Sequence, residues 1–516
     1  MPTLHPRTLT LAALGCLQAL ANYAQERPNI VLILADDLGY GDVSAYGART
    51  IHTPNIDRLA HNGICFTNGH SSSATSTPSR YALLTGMYPW RRKTNILPGD
   101  APLIIDENQL TLPKMLQQAG YNTAAIGKWH LGMGRGRINW NDVIRPGARE
   151  VGFDYSCILS ATVDRVPTVY VENGRVLGLD PSDPIEVSYQ KPFEGEPTAR
   201  TNPELMTRMR YSHGHDQTVI NGIPRIGYMR GGKSALWRDE EMADFLVGKV
   251  CNYLDTIPKD KPFFLFYGLH EPHVPRIPAS RFEGKSGMGP RGDVILEADW
   301  CVGQVIQKLD EQGLLNNTLI IFTSDNGPVL DDGYVDQAEP LAKAANHDMN
   351  GGYRGGKYSL YEAGTRVPFF IYWQGHIRPQ TSDALVVQQD LLASLAALVG
   401  QNIPDSLDSE NHLPAFLGRK YYSKHQRTKG TPRHDHGRQG YVIEAVGRLA
   451  YRTGDYALLP SYQGALRNTT GNEMGIVDTL SLFNLRNNKK QDINIIQRKP
   501  RLSKKMLHAL EQTKGE

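Results

Sequence analysis

Four stretches constrain this 516-residue chain most: residues 28–35, 121–126, 262–268 and 319–324. The first is an unbroken apolar run rich in branched side chains, the pattern of a central parallel strand buried on both faces. Each stretch gives way to polar groups, namely Asp36-Asp37, Lys128, His270 and Asp325-Asn326. In open α/β sheets ligands bind outside the carboxyl ends of the strands, so one pocket can collect all four.

Two of these ends carry hard oxygens. Adjacent carboxylates at the end of a buried strand repel each other and lose hydration, a cost that a cation or hydrogen-bond donors must offset. A capping turn is the competing account for Asp36-Asp37, and an Asx turn for Asp325-Asn326-Gly327. The common form of the two ends favours a metal site, and oxygen-only donors suit Ca²⁺ or Mg²⁺ rather than zinc.

Between the first two stretches lies Ser76-Thr77-Pro78-Ser79-Arg80-Tyr81-Ala82-Leu83-Leu84-Thr85-Gly86, which reads as a loop turning into a buried helix. Pro78 suits a first turn, Ala82 to Leu84 supply an inward face, and Thr85-Gly86 ends the segment. Ser76 then sits where backbone N–H groups and a positive dipole end favour an anion. An ordinary N-cap explains the same residues, since Ser71-Ser72-Ser73-Ala74-Thr75 precede them. The spacing adds a resemblance to the type I sulfatase signature: Cys or Ser, any residue, Pro-Ser-Arg, three residues, Leu-Thr-Gly. In that family the first residue is oxidised to formylglycine, whose hydrated aldehyde is the nucleophile. This chain carries the serine type, Ser76.

Other blocks extend the resemblance over most of the chain. Gly127-Lys128-Trp129-His130-Leu131-Gly132 reproduces a family motif in full; Lys128 and His130 share one face if the strand continues. His270, in a loop stiffened by Pro272 and Pro275, aligns with the family's catalytic histidine, and His273 is a substrate-binding candidate. Gly355-Gly356-Lys357 with Glu362-Ala363-Gly364-Thr365-Arg366-Val367-Pro368 resembles another block, with Ala363 in place of a glycine. Glu362 and Arg366 are spaced for a structural ion pair. Asp36, Asp37, Asp325 and Asn326 match the family's Ca²⁺ positions, together with formylglycine at Ser76. The resemblance implies an α/β fold with a large mixed, mainly parallel sheet flanked by helices, as in alkaline phosphatase. It also implies a catalytic domain over 26–417 and a small C-terminal α+β subdomain over 418–516, with short antiparallel strands and a final helix.

Composition fits an enzyme. Aromatics at 8%, charged residues at 21% and a net charge of +3 exclude a disordered chain and give no basic footprint for nucleic acid. The 50 glycines and 32 prolines imply long loops. Residues 9–21 form an apolar run too short to span a bilayer, the shape of a signal peptide over 1–21 that ends in Ala19-Leu20-Ala21. Export to periplasm or medium is the expectation; lipid anchoring through Cys16 is the weaker alternative, because Ala13-Leu14-Gly15 matches a lipobox poorly. Cys65, Cys157, Cys251 and Cys301 are scattered and suggest neither disulfides nor a metal spacing. Residues 152–237 read as loops that shape a substrate rim, within which His213 and His215 receive no role. Helices are expected at 240–254 and 390–399, and short strands at 441–443, 449–452, 456–459 and 481–485.

The mechanism implied by the resemblance is sulfate-ester hydrolysis. Arg80 and Ca²⁺ stabilise the formylglycine alkoxide, Lys128 and Lys357 grip sulfate, and His270, with Lys357, protonates the departing alcohol. His130 deprotonates the remaining hydroxyl. The implied partners are a sulfated carbohydrate (glycosaminoglycan, mucin or algal glycan) and a maturase that oxidises Ser76. A phosphonate or phosphodiester hydrolase of the same superfamily shares the nucleophile and metal ligands. A sulfated-glycan-binding protein with unmodified Ser76 is the non-enzymatic alternative.

Overall fold

The computed structural model describes residues 27–418 and 437–515. The expected signal segment and Cys16 lie outside the described residues, and the boundary at 417/418 borders a second such stretch.

Strand β1 (Asn29–Ala35) is buried along its whole length, and successive residues face opposite layers. Ile30, Leu32 and Leu34 pack with α2 (Ser76–Thr85) and α5 (Leu391–Val399). Val31, Ile33 and Ala35 pack with α1 (Pro54–Asn62), α3 (Met242–Thr256) and α4 (Gly289–Glu311). A strand sandwiched this way must be apolar on both faces, because each fully buried aliphatic side chain contributes about 1.5–3 kcal/mol.

Nine further strands complete the sheet: β2 (Ile64–Phe66), β3 (Asn122–Lys128), β4 (Tyr155–Leu159), β5 (Tyr170–Glu172), β6 (Arg175–Val176), β7 (Phe263–Gly268), β8 (Thr318–Ser324), β9 (Phe369–Trp373) and β10 (Gln380–Ser382). Their order is β10-β2-β9-β8-β1-β7-β3-β4-β5-β6. The central five, β8, β1, β7, β3 and β4, run parallel, while β9 is antiparallel to β8. The register pairs Ala35 with Ser324, Leu34 with Gly268 and Gly268 with Gly127. The carboxyl ends of four strands therefore finish level, and the polar residues beyond them gather at one edge of the sheet.

A second, antiparallel sheet joins β11 (Tyr441–Ala445), β12 (Arg448–Thr453), β13 (Tyr456–Leu459) and β14 (Ser481–Asn484) in sequence order. Helix α6 (Pro500–Gly515) covers it with Met506 and Leu510. Buried ion pairs tie this sheet to the main one. Arg452 bonds Glu362 at 3.1 Å, and Glu362 also accepts from Arg366, the expected i,i+4 pair, at 2.7 Å.

Three local expectations change. Strand β3 ends at Lys128, and His130 adopts a left-handed φ of 58°, so the two residues do not alternate along one strand. Residues 152–237 are not all loop, since they add β4 to β6 to the sheet. Ala363 sits in the 3-10 turn Glu362–Gly364 and is not among the residues with positive φ, so a methyl group is accommodated there.

Candidate active site

Thr75 is extended, with φ −147°, and the chain turns helical at Ser76, whose side chain lies at the level strand ends. All ten residues of α2 are buried, and Gly86 closes the helix in the left-handed region at φ 67°, as a C-terminal glycine does. Ser76 Oγ donates to Asn326 Oδ1 at 3.2 Å and lies 3.4 Å from Asp36 Oδ1. Lys128 Nζ donates to Ser76 Oγ at 3.0 Å and is 2.6 Å from Asp36 Oδ2. Gly127 lets the strand deliver Lys128 here: its φ is 96°, and a Cβ would lie 2.0 Å from Gly268 O.

One turn into α2, Arg80 is fully buried. It donates through Nε to Asp325 Oδ2 at 3.0 Å and through Nη1 to Lys128 O at 3.0 Å. Asn326 Nδ2 donates to Asp37 Oδ1 at 2.7 Å, and Asp37 N to Asp325 Oδ1 at 3.3 Å. Lys357 Nζ donates to Asp37 Oδ2 at 2.9 Å and to Asp332 Oδ2 at 2.8 Å. Four carboxylates, Asp36, Asp37, Asp325 and Asp332, thus face three cations in a largely buried site. Burial pushes Asp36 up. Against the same burial, Lys128 and then Arg80 hold Asp325 well below the carboxylate range. Burial lowers Lys128, whereas Asp332 and Asp37 outweigh it at Lys357 and raise that amine.

Asp36, Asp37, Asp325, Asn326 and Ser76 bring oxygen donors from the ends of the neighbouring strands β1 and β8 and from the start of α2. Three carboxylates, an amide oxygen and a hydroxyl form a donor set that fits a hard divalent cation.

The cavity above Ser76 is lined by His130, Thr162, Asp164, Arg165, His215, His273, Asp332, Lys357 and Tyr358, with Ile96 and Ile226 as its apolar walls. His130 Nε2 faces Leu97 O at 2.9 Å; a carbonyl only accepts, so Nε2 carries the proton and Nδ1, buried and without a partner among the described residues, is the basic nitrogen. His273 Nδ1 likewise donates to Val274 O at 2.6 Å, which leaves Nε2 toward Asp37 Oδ2 at 3.8 Å. Burial, then the neighbouring Lys357, lowers His273; burial, then Lys128, lowers His130.

The histidines depart from the sequence expectation. His270 does not line this cavity: its Nδ1 is 3.3 Å from Glu271 Oε2. His273, three residues on, takes the position expected of His270, because the turn through Pro272 carries its ring to Asp37. His215 is also corrected: it is buried, its Nε2 is 2.9 Å from Asp164 Oδ2 and its Nδ1 is 2.8 Å from His213 O, while His213 is exposed.

Asp164, Arg165, Asp332 and Tyr358 carry no signal in the sequence. Asp164, Arg165 and Asp332 lie in loops with no motif of their own, Tyr358 is one of the unspecified residues between Lys357 and Glu362, and only the close approach of three segments brings them together. Tyr211 bridges Tyr334, Asn472 Nδ2 donates to Asp331 O at 2.8 Å, and Tyr358 OH donates to Asp332 Oδ1 at 2.8 Å. Asp37, His130 and Tyr358 all hold positive φ, at 64°, 58° and 74°, a strain that concentrates at functional sites.

The family model described as Sulfatase matches residues 28–401. The chain is 47% identical over 496 residues, 95% of its length and 93% of the relative's, to an N-acetylgalactosamine-6-O-sulfatase of Bacteroides thetaiotaomicron. It is 32% identical to human arylsulfatase A over 473 residues, covering 90% of this chain and 80% of that one. A solved Bacteroides thetaiotaomicron protein, described as a sulfatase in the metabolism of multiple glycosaminoglycans, superposes with a TM-score of 0.90 at 46% identity, covering 95% of this chain and all of that one. A phosphonate monoester hydrolase of Agrobacterium radiobacter, at 16% identity and a TM-score of 0.56, shares the fold. Sulfatases as a family use formylglycine and a divalent metal. With a sulfuric ester hydrolase's motifs gathered at one strand edge and relatives matched over nearly its whole length, this chain belongs to the sulfatase family.

Proposed function

We propose that the protein removes the 6-O-sulfate from N-acetylgalactosamine-type sugars of a sulfated glycan, with formylglycine made from Ser76 by a maturase, Ca²⁺ as the cation, and export from the cytoplasm. The near full-length relationship to the Bacteroides thetaiotaomicron N-acetylgalactosamine-6-O-sulfatase carries this reading. Ca²⁺ is preferred over Mg²⁺ because a site crowded with five protein oxygens leaves little room for the waters that Mg²⁺ retains. Among the described residues no helix is long and apolar enough to cross a membrane.

Asp36, Asp37, Asp325 and Asn326 would hold the cation beside residue 76. When bound, the cation and the hydrated aldehyde together supply an oxygen nucleophile at neutral pH. The chain's own groups do the rest. Lys128 and Lys357 bind the sulfate oxygens through charge-assisted hydrogen bonds, and Arg80 keeps Asp325 ionised and oriented. His130, with its proton fixed on Nε2 by Leu97 O, would accept at Nδ1 the proton of the hydroxyl that remains on residue 76 once the alcohol has left. His273, with Nδ1 fixed by Val274 O, takes up a proton at Nε2 when the anionic ester enters and passes it to the leaving alcohol. We therefore assign to His273 the acid role expected of His270. Asp164 and Arg165 offer an acceptor and donors to the sugar, and His215, with both ring nitrogens engaged, holds Asp164 in place.

The test is the mass of the Ser76 peptide from protein of the native host, together with release of sulfate from 6-O-sulfated N-acetylgalactosamine. A peptide lighter by two hydrogens and sulfate release are expected. Unaltered serine in active protein overturns the nucleophile; a modified enzyme inert on this sugar and active on another overturns the substrate.

A further inference from the structure

Behind the cavity, at the end of β7, two glutamates are buried side by side. Glu271 and Glu297 are each 2% exposed. Among the described residues neither has a Lys or Arg within ion-pair distance. Arg281, whose charge reaches Glu297, is itself held by Asp244 through two bonds of 2.7 Å. Glu271 accepts from His270 N at 3.0 Å and from the Cys301 thiol, and Glu297 from Ala279 N at 2.9 Å, but neutral donors leave two adjacent buried carboxylates without a countercharge, which is costly.

His270 identifies what neutralises them. Its ring is buried, and among the described residues Nδ1 has no hydrogen-bond partner although Glu271 Oε2 is only 3.3 Å away. A proton shared between the two glutamates would relieve the carboxylates and still leave this nitrogen unpartnered. A lone pair and a carboxylate oxygen at that separation are what two ligands of one ion present, since metal bonds of about 2.0–2.1 Å set tetrahedral neighbours about 3.3 Å apart. Donor atoms of His270, Glu271 and Glu297 all lie within 4.8 Å of one another. Glu297 and Cys301 are four residues apart on α4 and so share a helix face, and Cys301 Sγ is 3.9 Å from Glu271 Oε1.

We propose that His270, Glu271 and Glu297 form a second divalent-cation site, separate from the Ser76 cluster, with the Cys301 thiol beside its fourth position. The mixed nitrogen, carboxylate and sulfur donors select a zinc-class ion, not the oxygen-seeking Ca²⁺. Glu271 O accepts from Asp36 N at 3.0 Å, so an ion here braces the turn that carries His273 and the strand end that carries Asp36. The site is structural: none of its residues lines the catalytic cavity.

The experiment uses the full chain, stripped of metal and then saturated with Ca²⁺ to fill the oxygen site, and titrated with CoCl₂. One equivalent of Co²⁺ with visible absorption, displaced by ZnCl₂, is expected. Glu297→Gln keeps the shape of the side chain and should weaken cobalt binding by about 100-fold or more, on the scale of metal-site substitutions; His270→Gln gives the same test should the first variant not fold. Absence of cobalt uptake in the Ca²⁺-saturated wild type, or equal uptake by a folded variant, overturns the site. The result is independent of sulfatase activity, since the readout is the metal spectrum.

Discussion

Lys128 Nζ stands between two partners, 3.0 Å from Ser76 Oγ and 2.6 Å from Asp36 Oδ2. The same amine thus meets the proposed nucleophile's position and pairs with a carboxylate of the proposed metal site. Lys128→Ala should lower kcat/KM by about 10²–10³-fold, the scale for one preorganised donor in a closed site. Because Asp36 is left buried without its partner, the metal-free variant should also lose about 3–5 kcal/mol of stability. Saturating Ca²⁺ should return part of that loss. Steady-state kinetics and thermal melts with and without Ca²⁺ check both; equal melting of variant and wild type without metal would refute the pairing.

His273 should matter in proportion to the difficulty of the leaving group. A sugar alcohol departs poorly without a proton, whereas nitrophenolate departs unaided. His273→Ala is expected to cut turnover of a sugar sulfate by about 10²–10⁴-fold, the range for general acid catalysis, and to spare an aryl sulfate. Equal losses on both substrates would assign the ring to sulfate binding instead.

His215 spends both ring nitrogens, on Asp164 and on His213 O, and its role in the proposed function is to position Asp164 for the sugar. His215→Ala should raise KM for the sulfated sugar by about 10–100-fold, equivalent to losing the one charge-assisted hydrogen bond that the Asp164 carboxylate makes, with kcat changed far less. KM for a small aryl sulfate, which does not reach this wall, is expected to stay within a few-fold; a parallel rise there would show that the residue supports the fold of the cavity.

Two buried carboxyls should each contribute less to stability as pH rises from about 4 to about 7, against the opposite trend of the buried histidines, whose protons are lost on folding. Burial pushes Glu444 up to about 6 and Asp299 up to about 6, although Ser73 and Gly447 donate to the first and Ile56 and Asn55 to the second. Each folded carboxyl keeps its proton to a higher pH than it does unfolded. Its contribution is therefore whole below the ordinary carboxyl range and is lost through pH 6, roughly 2–3 kcal/mol each. Urea midpoints of the wild type and of the Glu444→Gln, Asp299→Asn variant check this: the variant should gain relative to the wild type as pH rises, and a difference that does not change with pH would refute the assignment.

Much of the site was legible because its chemistry is local. Asp36-Asp37 and Asp325-Asn326 come directly after runs whose hydrophobicity shows that they are interior strands, so chain adjacency alone puts them at strand ends. Helix α2 and its Ser76 start were likewise visible, since Pro78 and Gly86 mark a helix boundary through backbone sterics. Helix α4 left no such signal. Arg291, Asp293, Glu297 and Asp299 are buried along it, and charged residues on an inward face erase the apolar periodicity that announces a helix.

Local spacing fails where two candidates sit within one turn of chain. His270 and His273 are equivalent in composition and loop context, and only the path of the backbone between Gly268 and Pro275 sends one ring into the cavity and the other to Glu271 and Glu297. The sugar-facing wall is further still from inspection of the chain: Asp164 and His215 are 51 residues apart, and Lys357 and Asp37 are 320 apart. Hydrophobic pattern, helix ends and short motifs depend on neighbours along the chain, so the amino-acid order alone specifies the strands, the nucleophile helix and the family. Which histidine meets substrate, which loop carboxylates surround it and which glutamates end up unpaired depend on contacts across the sheet edge, where energies are set by distance in space rather than along the chain.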